Sequence, residues 1–209
     1  MISPKPAPER AGTAAALRRL ADRQSAPRFS IDDLLAALGD QGFGLLIFAL
    51  ALPNAVPGPL IPGFSVPFAL GIAVLGLQLA LGLHAPRLPR QLRRLSMEQR
   101  RFRRLIDRAE PWLRRLERWL RPRPSPLTAG PGERLVGVAL IALSVVLALP
   151  VPLGNTPIAL SIILIALGQL EEDGVALLAG IAAGLAASLW NAFLIFAGAE
   201  LFEAAAHIH

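Results

Sequence analysis

Three long blocks of this 209-residue chain contain no Asp, Glu, Lys or Arg: Gln41 to Ala85, Leu135 to Leu170, and Gly174 to Ala199. An ionisable side chain at the centre of a bilayer costs about 2.5–3.5 kcal/mol on insertion scales, so blocks of this length are what lipid exposure selects. Hydrophobic residues make up 54% of the chain, well above what a soluble fold of this size needs. Such segregation of charge means two solvents. It predicts an all-α membrane protein.

The first block is interrupted by Leu50 to Pro67, LALPNAVPGPLIPGFSVP, which carries five prolines. Its echo is Leu147 to Pro157, LALPVPLGNTP. Both copies open Leu-Ala-Leu-Pro, and both run into a helix start, Pro67-Phe68-Ala69-Leu70 and Pro157-Ile158-Ala159-Leu160. The pattern is an internal repeat of two related proline-broken helical hairpins, followed by a closing transmembrane helix. Pro53, Pro57, Pro67, Pro150 and Pro157 mark the turns, because proline lacks the N–H a helix interior needs. Phe43 to Leu52 covers about 15 Å as a helix, half a bilayer. Phe64 to Leu83 is long enough to span, although Gln78 and its glycines suit packing on protein. Leu135 to Leu149 and Pro157 to Leu170 are again short. Short segments broken at matching places point to re-entrant or discontinuous helices.

Residues 1–29 read as a disordered and amphipathic N-terminal segment, and 30–209 as a single membrane domain. Within it, 30–83 is the first repeat, 84–134 a basic block, 135–170 the second repeat and 174–203 the final transmembrane helix. Ser30-Ile31-Asp32-Asp33 and Ser96-Met97-Glu98-Gln99 have the form of capping boxes. In the final helix, Gly180, Gly184 and Ser188 recur every fourth residue, a stripe that admits close backbone approach. It serves either a homodimer interface or the seat of the broken helices.

The net charge of +6 comes almost wholly from arginine, with Lys5 the only lysine. Residues 84–134 hold fifteen arginines against five acids. Apolar positions at helical spacing, with Trp112 and Trp119 among them, make this block a set of amphipathic helices suited to the head-group boundary. Arg100, Arg104, Arg114 and Arg115 are the residues assigned to lipid phosphates. The excess of arginine places this block and the N-terminus on the cytoplasmic side of an inner membrane. The partners expected are membrane lipids, not nucleic acid. The chain opens without an apolar signal core.

The apolar blocks offer little to a catalyst. With no cysteine or tyrosine in the chain and no acid, base or metal-ligand cluster in the blocks, the expectation is a non-enzyme without cofactor or metal. What the blocks do contain is helix starts at membrane depth. Asn155-Thr156-Pro157 and Ser65-Val66-Pro67 open helices whose first amides and partial positive charge favour an anion or a lipid-borne phosphate. Asn54, Ser65, Asn155 and Thr156 are the side chains available to complete such a site. The competing expectation is that they only cap their own helices and satisfy the breaks in them.

Four stretches, in this order, resemble the ExoD family of bacterial membrane proteins: Asp33 to Gly44, Ala51-Leu52-Pro53-Asn54, Pro111 to Glu117, and Pro152-Leu153-Gly154-Asn155-Thr156-Pro157. The resemblance covers about Ser30 to Phe196 and implies an integral inner-membrane protein linked to exopolysaccharide synthesis, with polysaccharide-assembly machinery as an expected partner. It supplies no catalytic residues. Binding or translocation of an anionic lipid or small anion is the leading expectation, and a non-transporting scaffold working through the arginine-rich helices is the other.

Overall fold

The computed structural model describes residues 28–30, 41–55, 63–88, 96–98, 100, 103, 104, 107, 120, 123, 125–128, 130–151 and 154–206. The expected N-terminal segment, the helix start at Ser30 to Asp33, and Pro57, Trp112, Arg114, Arg115 and Trp119 lie wholly or largely outside them. Five helices are named among the described residues: α1 (Gln41–Ala55), α2 (Val66–Ala80), α3 (Pro131–Ala148), α4 (Asn155–Leu170) and α5 (Gly174–Ala206). Two of them, α3 and the Gly174–Ala197 part of α5, are long and apolar enough to cross a membrane.

The chain divides into two compact units, one of residues 1–39 with 88–119 and the other of 40–87 with 120–209. In the first, β1 (Arg28–Ser30) pairs antiparallel with β2 (Ser96–Glu98), Phe29 opposite Met97. This short ribbon departs from the helical reading. Ser96, Met97 and Glu98 direct their backbone to a neighbouring strand instead of opening a helix. Arg100, Arg103, Arg104 and Asp107 are helical, and Arg104 Nε donates to the Arg100 carbonyl at 3.4 Å.

All five helices belong to the second unit. Their core is aliphatic, with Phe43, Ile47, Ile72, Leu79, Leu140, Leu147, Ile158, Ile162, Ile165 and Leu177 fully buried. The outer faces are apolar as well: Leu70, Leu81, Leu185, Leu189 and Phe196 are exposed. A soluble helix would be polar on that side. Backbones meet closely where glycines allow it. A methyl group on Gly44 of α1 would lie 2.7 Å from the Ala166 carbonyl of α4, and one on Gly137 of α3 would lie 2.6 Å from the Gly76 carbonyl of α2.

These contacts fix the helix directions. Gly71 of α2 faces Leu50 of α1, so α1 and α2 form a hairpin. Gly76 meets Leu140 and Ile141, while Gly82 meets Arg134, so α3 runs antiparallel to α2. Gly168 meets Leu177 and Gly180 meets Ile165, which sets α5 antiparallel to α4. One end of the bundle therefore collects Arg87, Glu133, Arg134 and the turn Glu171-Glu172-Asp173. The other end collects the end of α1, the starts of α2 and α4, and the end of α3.

Several expectations are revised. Helix α1, described as Gln41–Ala55, includes Pro53, which forfeits one backbone bond without breaking the helix there. Pro150 does follow the end of α3. Helix α2 stops at Ala80, short of a full span, and Gly82 turns the chain at φ +77°. Its Gln78 is satisfied by backbone, accepting from Arg87 N at 2.6 Å and donating to Arg87 O at 3.0 Å. Helix α3 begins at Pro131, inside the basic block, and includes Glu133 and Arg134.

Candidate functional site

The starts of α2 and α4 meet. Asn155 Nδ2 donates to Ser65 Oγ at 2.8 Å, joining residues 90 positions apart. Neither residue caps its own helix. Ser65 sits in the helical region at φ −73° and ψ −22° with no side-chain capping bond, and the position before α4 is Gly154, also without one. The side chains of Ser65 and Asn155 pair with each other across the two helix starts instead of forming local caps.

The first-turn amides can be counted. At α2, Val66 N donates to the Gly63 carbonyl at 3.1 Å, Pro67 has no N–H, and Ala69 N takes the Ser65 carbonyl at 2.8 Å. That leaves Phe68 N–H without a carbonyl four residues back in its helix. At α4, Gly154 N donates to the Val151 carbonyl at 3.1 Å and Pro157 again removes a donor from the first turn. The positive ends of two helices thus meet at one place in the bundle.

A residue absent from the sequence reading completes the arrangement. Asn191, near the middle of α5, is 1% exposed, and its Nδ2 donates to the Gly154 carbonyl at 3.0 Å and the Ala187 carbonyl at 3.2 Å. Its Oδ1 turns towards Gly154, where even one methyl group on that glycine would collide with it. The signal was available: a lone amide inside an apolar helix is expensive in a bilayer and marks a specific task.

Asn54 lies in the last turn of α1 at the same end of the bundle, 5% exposed, with Nδ2 reaching the Leu50 carbonyl at 3.5 Å. Thr156 is half-buried as the second residue of α4. The Oδ1 atoms of Asn54, Asn155 and Asn191 are buried with no hydrogen-bond partner among the described residues. Pro67 and Pro157 sit in the first turns of the two helices, where proline is tolerated.

The remaining singled-out residues lie elsewhere. Gly180 receives Ile165 and the Ser161 carbonyl of α4, Gly184 receives Leu143 of α3, and Ser188 Oγ donates to the Gly184 carbonyl at 2.8 Å. The stripe is thus used within the chain, as the seat of α3 and α4. Arg100 and Arg104 are exposed, in the other unit. Among the described residues, no group of three or more His, Cys, Asp and Glu is placed to hold a metal ion.

These features define an all-helical protein with two helices able to cross a membrane and an uncharged polar site where two helix starts converge. Residues 13–193 match the family described as "Exopolysaccharide synthesis, ExoD", and the chain belongs to that family. Protein ExoD of Rhizobium meliloti is 29% identical over 182 residues, covering 85% of this chain and 75% of its own. An uncharacterized protein of Synechocystis is 30% identical over 149 residues, covering 71% of this chain and 70% of its own. No solved structure matches the chain.

Proposed function

We propose that this protein is an integral inner-membrane component of exopolysaccharide synthesis or export that binds an anionic lipid or small anion where α2 and α4 begin. The observation that carries the proposal is the Asn155–Ser65 hydrogen bond between two helix starts that lack side-chain caps. Backbone amides at a helix N-terminus stabilise negative charge, and a low-dielectric surrounding strengthens the effect. The exposed aliphatic surface and the two span-length helices support membrane insertion.

An internal repeat gives the site its paired form. The buried positions Ala69, Ile72, Leu75 and Gly76 of α2 have buried counterparts at the same spacing as Ser65 and Asn155, namely Ala159, Ile162, Ile165 and Ala166 of α4. The N-terminus and the basic block lie on the cytoplasmic side, with the helix starts towards the opposite face. A scaffold acting through Arg100 and Arg104 is the second reading, favoured by their exposure on a helical stretch.

Native mass spectrometry of the detergent-released protein, compared with the Asn155→Ala/Thr156→Ala variant, separates the two. The expected result is a retained phosphate-bearing lipid that is lost in the variant. A bound lipid unaffected by this change, yet lost on Arg100→Ala/Arg104→Ala, refutes the helix-start site and supports the scaffold.

A further inference from the structure

We infer that the ligand of this site carries hydroxyl donors beside its anionic group: it is a glycosyl phosphate, free or lipid-linked. The inference rests on the anion-binding reading above and narrows it. The two meeting helix starts, without side-chain caps, call for acceptor oxygens, which any phosphate supplies. The same end of the bundle also holds three amide oxygens, Asn54 Oδ1, Asn155 Oδ1 and Asn191 Oδ1, buried and without donors among the described residues. Buried acceptors are nearly always paired in native proteins, so three together call for a donor-bearing partner.

The orientation of Asn191 is settled by its neighbours. Its NH2 group lies against two carbonyls, Gly154 O and Ala187 O, which only accept, so the atom turned towards the α4 start is the acceptor Oδ1. A cation would also satisfy these oxygens, but two helix N-termini and no carboxylate on these residues oppose positive charge there. Sulfate brings charge without donors, and a phosphodiester brings donors only through the groups it links. A sugar ring attached to phosphate brings both, its hydroxyls serving the asparagine oxygens while the phosphate takes the amides. Asn191, Asn54 and Asn155 are then the residues that separate a sugar phosphate from a bare one.

Calorimetric titration of the full-length protein in detergent with sulfate, inorganic phosphate and glucose 1-phosphate tests this directly. Matching titrations in nanodiscs use a polyprenyl phosphate with and without attached glucose. The glucosylated ligand is expected to bind roughly three- to tenfold tighter than its unglucosylated counterpart, the range for one or more net hydrogen bonds. Preference in the soluble series identifies a free sugar phosphate, and preference in the nanodisc series alone identifies a lipid-linked one.

Asn191→Leu should abolish the preference; because it also releases the Gly154 carbonyl at the start of α4, the readout is the ratio of glucosylated to unglucosylated affinity, which should fall to about one, and not phosphate affinity itself. Asn54→Ala, whose recorded side-chain bond is the 3.5 Å one to Leu50, gives the same readout without touching α5. Equal binding of sulfate, phosphate and glucose 1-phosphate, with no glucose preference in nanodiscs, overturns the sugar inference and leaves the anion site standing. Failure of every anion to bind in either setting removes both.

Discussion

The closest test of the helix packing is Gly137→Ala. A methyl group at that position would lie 2.6 Å from the Gly76 carbonyl and 2.9 Å from Ala80 Cα, with Ala80 N nearer still. All three are backbone atoms of α2, so no side chain can rotate away. Reaching ordinary contact near 3.4 Å requires α2 and α3 to separate by most of an ångström, and a gap of that size forfeits about a quarter to a half of each dispersion contact along the seam.

Overpacking of this kind costs about 1–3 kcal/mol, and the backbone obstacle places Gly137 at the upper end. Replacing glycine in a helix returns about 1 kcal/mol through lower backbone entropy. The net loss is about 2 kcal/mol, or a drop in unfolding midpoint of about 4–8 °C for a chain of this length. Thermal unfolding in mild detergent reads it, with exposed Val138→Ala on the same helix as the control expected to match the parent. Gly44→Ala, whose added methyl would meet the Ala166 carbonyl at 2.7 Å and Leu170 N at 2.8 Å, should behave alike. If Gly137→Ala melts at or above the parent temperature, the tight α2–α3 approach is wrong.

Two further outcomes are expected. Asp173 Oδ1 accepts from Val175 N at 2.9 Å and Ala176 N at 3.3 Å, capping α5, so Asp173→Ala should lower stability by about 1 kcal/mol in the same melting assay. The chain has no cysteine, so single cysteines report sidedness cleanly. In intact spheroplasts an impermeant maleimide should label Phe64→Cys and Leu149→Cys but reach Ala85→Cys and Val175→Cys only after permeabilisation. Labelling that mixes the two pairs would refute a bundle with one charged end.

Much of this was legible because apolar blocks and proline punctuation are strong signals. The helices α2 and α4 begin close to Pro67 and Pro157, where a missing N–H is harmless. Pro53 lies inside α1 instead of breaking it, because the loss of a single backbone bond leaves the rest of the helix intact. The pairing of Ser65 with Asn155 needed tertiary contact: each looked like a local cap, and only the meeting of the two helix starts gave both a different partner. Asn191 was passed over because its role depends on Gly154, 37 residues away. The ribbon of β1 and β2 spans three residues a side, too short to show period-two patterning.

The collection of charge at one end of the bundle bears on how such a chain enters a bilayer. Both turns that lead out of α1 and α3 are free of Asp, Glu, Lys and Arg, so each hairpin can slide in tip first without carrying an ion through hydrocarbon. Only the closing helix differs: Glu200 and Glu203 lie past the last apolar block, and the proposed orientation delivers them to the far side. In the proposed membrane orientation, insertion of α5 is therefore the slow, machinery-dependent step. Until it is complete, Asn191 cannot reach Gly154 and the start of α4 stays unanchored.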